Sequence, residues 1–189
     1  MFLTAKDIQI LCPKNDRTDL VSKPGYLDDH QWKNRMEFIE GNRFDITVES
    51  IWLPDPDDDG GFLGVDSRRT PKLVPFPKHN NDSWRLSQGF YHILAGETFN
   101  MPAGVFGTVK SRRTIFGFSG FVVGTDIAPG YNGQIYCGIV VMAPKPFTIQ
   151  QGARFASVRF ASVDAEGTVP YQGIWGGKKL STDGEERGF

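Results

Sequence analysis

A chain of 189 residues with 39% hydrophobic and 23% charged residues has the length and composition of one folded domain, and a formal net charge of −1 favours no nucleic-acid partner. No apolar run approaches the roughly 18 residues of a membrane span, and Lys6 and Asp7 fall early in an N-terminus that lacks the apolar core of a signal peptide. Two cysteines, Cys12 and Cys137, three scattered histidines (His30, His79 and His92) and no CxxC pair argue against protein-bound zinc and for a reduced, cytoplasmic setting.

With 22 glycines, 12 prolines and 15 phenylalanines, the chain is expected to have many turns and short strands, a mainly β protein. In chain order, LTAKDIQIL predicts a short helix capped by Thr4, with Ile8 and Leu11 on one face. QWKNRMEFIE spaces Trp32, Met36 and Ile39 as a second short helix would, an ordered loop being the alternative. FDITVESIWL, residues 44 to 53, alternates as a half-buried strand. PDPDDDGGFLG reads as a surface loop: its aspartates at 55, 57, 58 and 59 lack the spacing and closing glutamate of an EF-hand. DSRRTPKLVPFPKHNND continues as proline-rich chain with one edge strand.

From Trp84 the pattern changes to FYHIL, GVFGTVKS, FSGFVVGTD, GQIYCGIVVMA, PFTIQ and ARFASVRFASV, β runs separated by turns, as in a jelly-roll-like barrel. The glycine-rich, charged end of the chain is expected to be mobile and to order against another surface. The expectation is one domain over 1–189: an irregular part with one strand and an insertion (1–83), a barrel core (84–165) and a tail (166–189).

Six stretches, in order, resemble one superfamily, the dCTP deaminases and dUTP pyrophosphatases, and more closely its deaminase-like branch. They are LTAKDIQ, NRFDITV, VKSRRTIFG, DIAPGYNGQI, QQGARFASVRF and VPYQGIWGGKKLS. The resemblance implies a distorted dUTPase-like β-barrel, a homotrimer with sites shared between subunits, and a deoxynucleoside triphosphate carrying Mg²⁺ on its phosphates. It assigns triphosphate to Ser111, Arg112 and Arg113, whose donors suit it; alone, SRR reads as a solvated strand end. Ile127, Gly130, Tyr131, Asn132 and Tyr136 fall on the hairpin that cradles sugar and base. Tyr131 is either the ring beneath deoxyribose or a core aromatic. Tyr171, Gln172 and Lys178 belong to the segment that closes over substrate.

The positions that do chemistry depart from the pattern. The hairpin aspartate that orients water in dUTP pyrophosphatases is Ala128, and the proton-shuttling glutamate of the deaminases is Gly138. Asn132, Gly117, Arg113 and Ser157 also replace motif residues. Neither a methyl group nor a hydrogen accepts a proton, and that help is typically worth about 10²–10⁴ in rate. Asp126, two residues before Ala128 on the same strand face, is the candidate relocated base; its alternative is a solvated strand-end carboxylate. Tyr136 shares a face with Gly138 and is expected to fill the glutamate's space. His92 reads as an edge or core histidine. The expected function is deoxynucleotide binding in nucleotide metabolism with atypical catalytic residues, or a silent homologue that sequesters nucleotide, regulates, or engages a protein.

Overall fold

The structure is a computed structural model that describes residues 1–12, 19–37, 39 and 41–172. Lys178 and the rest of the expected mobile tail beyond Gln172 lie outside the described residues. Helix α1 (Ala5–Ile10) begins at a reciprocal capping box: the Thr4 N–H donates to Asp7 Oδ2 at 2.8 Å and the Asp7 N–H donates back to Thr4 Oγ1 at 3.3 Å. Its Ile8 is fully buried. After the short β1 (Val21–Ser22), helix α2 (Asp29–Glu37) replaces the ordered-loop alternative, because Trp32 is drawn into the core against Phe44, ring centroids 5.7 Å apart.

Strand β2 (Arg43–Pro54) is the expected long strand. The acidic segment holds more order than a plain surface loop: β3 (Phe62–Leu63) pairs with β4 (Arg68–Arg69). Arg69 Nη1 lies 3.3 Å from Asp58 Oδ2, so a cation supplied by the same hairpin neutralises a nearly buried carboxylate. The expected edge strand is β5 (Leu73–Pro75), antiparallel to the end of β2.

The remaining strands are β6 (Ser83–Leu86), β7 (Gly89–Asn100), β8 (Val105–Ser111), β9 (Gly120–Val123), β10 (Asp126–Ile127), β11 (Asn132–Val141), β12 (Phe147–Gln150) and β13 (Arg154–Ser162), with α3 (Arg113–Gly117) between β8 and β9. The main sheet is antiparallel with the order β10-β8-β13-β2-β7-β11-β9. Register shifts in β2, β11 and β13 bend and twist these strands, and the sheet curls into a half-barrel. The N-terminal part of the chain therefore supplies a central strand of the barrel, β2, between β13 and β7.

Curling brings the two ends of the sheet together at a seam between β8 and β9. Ser111 Oγ accepts the Val122 N–H at 2.6 Å and faces the Val122 carbonyl at 3.3 Å. Beside this stitch, a Cβ at Gly124 would lie 2.4 Å from Val109 Cβ, so the crossing needs a residue without a side chain. The interior is filled by alternating positions, among them the fully buried Phe44, Phe99, Phe155 and Phe160. Each such ring contributes about 1.5–3 kcal/mol of burial.

The fully buried Glu97 belongs to this framework. Glu97 accepts Arg35 Nη1 at 2.7 Å, the Thr47 N–H at 2.9 Å and Thr47 Oγ1 at 2.8 Å, so its charge is met on several sides. Arg35 also donates to the Asp45 carbonyl and stacks its guanidinium over Trp32 and Phe44 at 5.4 and 5.3 Å. One arginine of α2 thereby ties the helix to β2 and β7.

Candidate functional site

Two cavities carry the chemistry-bearing residues. The first, of about 840 Å³, lies where α2, β2, α3 and β13 meet. Arg35, Arg43, Arg112, Arg113 and Arg154 line it, with Asp45 as its only carboxylate among the described residues. Asp45 Oδ2 lies 3.0 Å from Arg112 and 3.4 Å from Arg154, which fixes the direction of two guanidinium forks. A chain whose overall charge is −1 thus concentrates five arginines on one hollow. Such a hollow focuses field on an anion, and planar guanidinium groups suit phosphate oxygens two at a time.

The second cavity, of about 390 Å³, sits beside the glycine hairpin between β10 and β11. Asp126, Tyr131, Gln134, Ile135, Tyr136 and Tyr171 line it, with Ile127 and Ala128 at the turn. Gly130 takes φ +77, as the turn requires, and a Cβ there would lie 2.9 Å from Pro170 Cβ. That close approach lets the segment around Tyr171 dock: its N–H donates to the Pro129 carbonyl at 2.7 Å, and its ring meets Tyr131 edge-on at 5.3 Å. The Tyr131 hydroxyl donates to the Gln134 carbonyl at 2.5 Å. Burial, with Tyr171 adding to it, pushes the Tyr131 phenol up to about 12, so the ring stays neutral.

The sheet face next to this cavity explains the missing glutamate position. Gly138, Tyr136 and Gln134 share the half-buried face of β11, opposite the core face of Ile135, Cys137 and Ile139. A Cβ at Gly138 would stand 2.4 Å from Phe90 Cζ, so the Phe90 ring covers the position. The expectation that Tyr136 fills this space is corrected: Phe90 of β7 fills it, and Tyr136 lines the cavity instead. His92 packs edge-on against Phe90 at 5.0 Å, and burial lowers its pKa.

The expected site residues divide between the cavities. Arg112 and Arg113 line the first; Asp126, Ile127, Tyr131, Tyr136 and Tyr171 line the second. The two groups therefore line different cavities. Ser111 lines neither, because its hydroxyl stitches the barrel seam. Asn132 donates to Asn100 Oδ1 at 3.0 Å on the hairpin exterior, and Gln172 is exposed beyond Tyr171. Gly130 serves through its backbone. Sequence reading missed Arg35, Arg43 and Arg154 as one cluster, since they come from three distant elements. It also missed Gln134, although the alternation of β11 places it on the Tyr136 face.

Fold and site together define the dUTPase-like class of β-barrels. The model of the dCTP deaminase-like family matches residues 65–163, and the chain belongs to that family. Among curated relatives, the probable deoxyuridine 5'-triphosphate nucleotidohydrolase of Methanosarcina barkeri (strain Fusaro / DSM 804) is 26% identical over 141 residues, covering 72% of this chain and 80% of the relative. That of Aeropyrum pernix is 25% identical over 122 residues, covering 65% and 76%. Among solved structures, the 2'-deoxycytidine 5'-triphosphate deaminase from Agrobacterium tumefaciens superposes with a TM-score of 0.58 at 18% identity over 84% of this chain. The chain spans about half of that solved protein, 48% of its length.

Proposed function

We propose that the protein binds a deoxynucleoside triphosphate or a related nucleotide, with phosphates on the arginine cavity and the nucleoside on the hairpin cavity, and that its catalytic equipment is altered. The observation that carries this reading is the convergence, among the described residues, of five arginines around Asp45 in a chain of near-zero net charge. Curated relatives named as deoxyuridine triphosphate nucleotidohydrolases support the substrate class. Because the expected site residues divide between the two cavities, the reading includes a homotrimer in which one copy supplies phosphate contacts and its neighbour the hairpin. Arg112 and Arg113 then hold phosphate oxygens. Tyr131 and Tyr171 wall the nucleoside, and Gln172 and Lys178 extend the closing segment.

Mg²⁺ enters as a counter-ion on the phosphates and asks no side chain for a ligand. Among the described residues no three potential ligands converge, and Asp45 is already paired with two arginines. Asp126 is the candidate base for any hydrolytic step, being the one carboxylate among the described residues that line the hairpin cavity. A second reading, a silent nucleotide-binding homologue, is favoured by two observations: Ala128 lies at the turn, and the Phe90 ring stands over Gly138. Under either reading the working compartment is cytoplasmic.

Calorimetric titration with tripolyphosphate and a panel of deoxynucleotides, followed by chromatography of the mixtures, tests the proposal. Binding that weakens with salt and drops at least ten-fold in Arg112→Glu is the expected result. Absence of binding by tripolyphosphate and by every nucleotide overturns it. Turnover abolished by Asp126→Asn selects the enzymatic reading; binding without turnover selects the silent one.

A further inference from the structure

Gln134 is the polar side chain of the hairpin cavity whose direction is dictated by its surroundings. Its Nε2 donates to Glu49 Oε2 and to the Ala95 carbonyl, the latter at 3.0 Å. A carboxamide can ordinarily be turned over, exchanging oxygen for nitrogen. Here both neighbours of that end are acceptors, a carboxylate and a backbone carbonyl, so only the –NH₂ end fits against them. Both N–H groups are thereby spent on the protein. What Gln134 retains for a ligand is its oxygen, an acceptor.

We propose that Gln134, positioned by Glu49, is the specificity-determining residue of the hairpin cavity, and that it selects a base carrying an exocyclic amino group over the oxo counterpart. This rests on the nucleotide reading of the site. An amino group projects beyond the ring and meets a wall side chain before any recessed ring N–H does. Replacing it by an oxo group sets two acceptors face to face in a small, mostly apolar cavity, where an unmet polar pair is costly. Glu49 bonds Gln134 without lining the cavity itself and is a positioning residue. The remaining wall, Tyr131, Ile135, Tyr136 and Tyr171, supplies shape and stacking.

The test is calorimetric binding of two matched pairs, dCTP against dUTP and dATP against dITP, with tripolyphosphate as a third arm. The unmutated protein is expected to bind the amino member of each pair about ten-fold or more tightly. Glu49→Gln removes the charged acceptor and leaves the Ala95 carbonyl alone to orient the Gln134 carboxamide. Its preference should weaken, by less than in a variant without the carboxamide, while tripolyphosphate binds as before. Gln134→Met, which keeps the length of the side chain, should lose the preference. Equal binding of both members by the unmutated protein, or a preference that survives Gln134→Met, overturns the inference. If tripolyphosphate still binds in that case, the phosphate reading stands; if neither it nor any nucleotide binds, both readings fall.

Discussion

Replacing Gly138 by alanine gives the most direct test of how this face is built. The new Cβ would stand 2.4 Å from Phe90 Cζ and 2.5 Å from Cε2, whereas carbon atoms in comfortable contact lie about 3.5–4.0 Å apart. The overlap exceeds 1 Å, so the Phe90 ring must leave its place beside His92. Because the ring is 44% exposed and can swing outward, the cost lies at the low end of overpacking, about 1 kcal/mol. Backbone strain is not the obstacle, since Gly138 is absent from the positive-φ glycines. In a Phe90→Ala background the nearest remaining atom is Val123 Cβ at 3.5 Å, an ordinary contact. There the same substitution should stabilise by about 0.5–1 kcal/mol, the usual gain of alanine over glycine inside an element. A double-mutant cycle by urea unfolding at fixed protomer concentration should therefore show a coupling of about 2 kcal/mol. Equal effects of Gly138→Ala in the two backgrounds would refute the claim that Phe90 occupies the position. The functional corollary is that Gly138→Glu alone yields no deamination, and a carboxylate finds room on this face only when Phe90 is removed with it.

Arg35→Met should destabilise by about 3–5 kcal/mol, because Glu97 would be left fully buried with its ion-pair partner gone; a normal urea midpoint would sink the account of that pair. Ser111→Ala should cost about 1–3 kcal/mol through the unmet Val122 N–H yet change tripolyphosphate binding less than two-fold, so a large affinity loss with unchanged stability would restore Ser111 as a phosphate ligand. Alkaline stability should fall from about pH 10 to about pH 12: the unfolded phenol of Tyr131 ionises from its ordinary value near 10, while the folded one holds its proton to about 12. The folded state binds more protons across that window, so the slope is negative. Tyr131→Phe should lessen this slope without abolishing it, because burial also raises the Tyr26 phenol and the Cys12 and Cys137 thiols, and an unchanged urea-midpoint profile would contradict the burial.

What could be read in the sequence follows the range of the interactions involved. Thr4 and Asp7 meet three residues apart, so the capping box was legible, and so were the period-2 strands β2 and β11. The glycine hairpin was legible for the same reason, since Gly130 answers to a turn that its neighbours specify. The arginine cavity was not: Arg35, Arg43, Arg112 and Arg154 come together only after α2 packs on β2 and β13 pairs between β2 and β8. Ser111 was legible as a motif residue but not as the seam of a barrel, because Val122 becomes its partner only when the sheet curls. Phe90 was invisible for a like reason, since nothing near it in the chain announces Gly138 on the neighbouring strand.

The two positions at which the family resemblance leads one to expect a carboxylate, Ala128 and Gly138, have different physical standing. Ala128 is half-buried and lines the hairpin cavity, so a longer side chain there borders open space. Gly138 is different, because the space beside it is taken by a ring 44% exposed to solvent and braced by His92. With Phe90 where a Cβ at Gly138 would stand, this face has no room for a longer side chain unless the ring moves. Single carboxylate substitutions at 128 and 138 should therefore differ in kind. The first tests chemistry on an intact surface, whereas the second must first displace Phe90, and only the pair Phe90 and Gly138 changed together isolates the carboxylate from the clash.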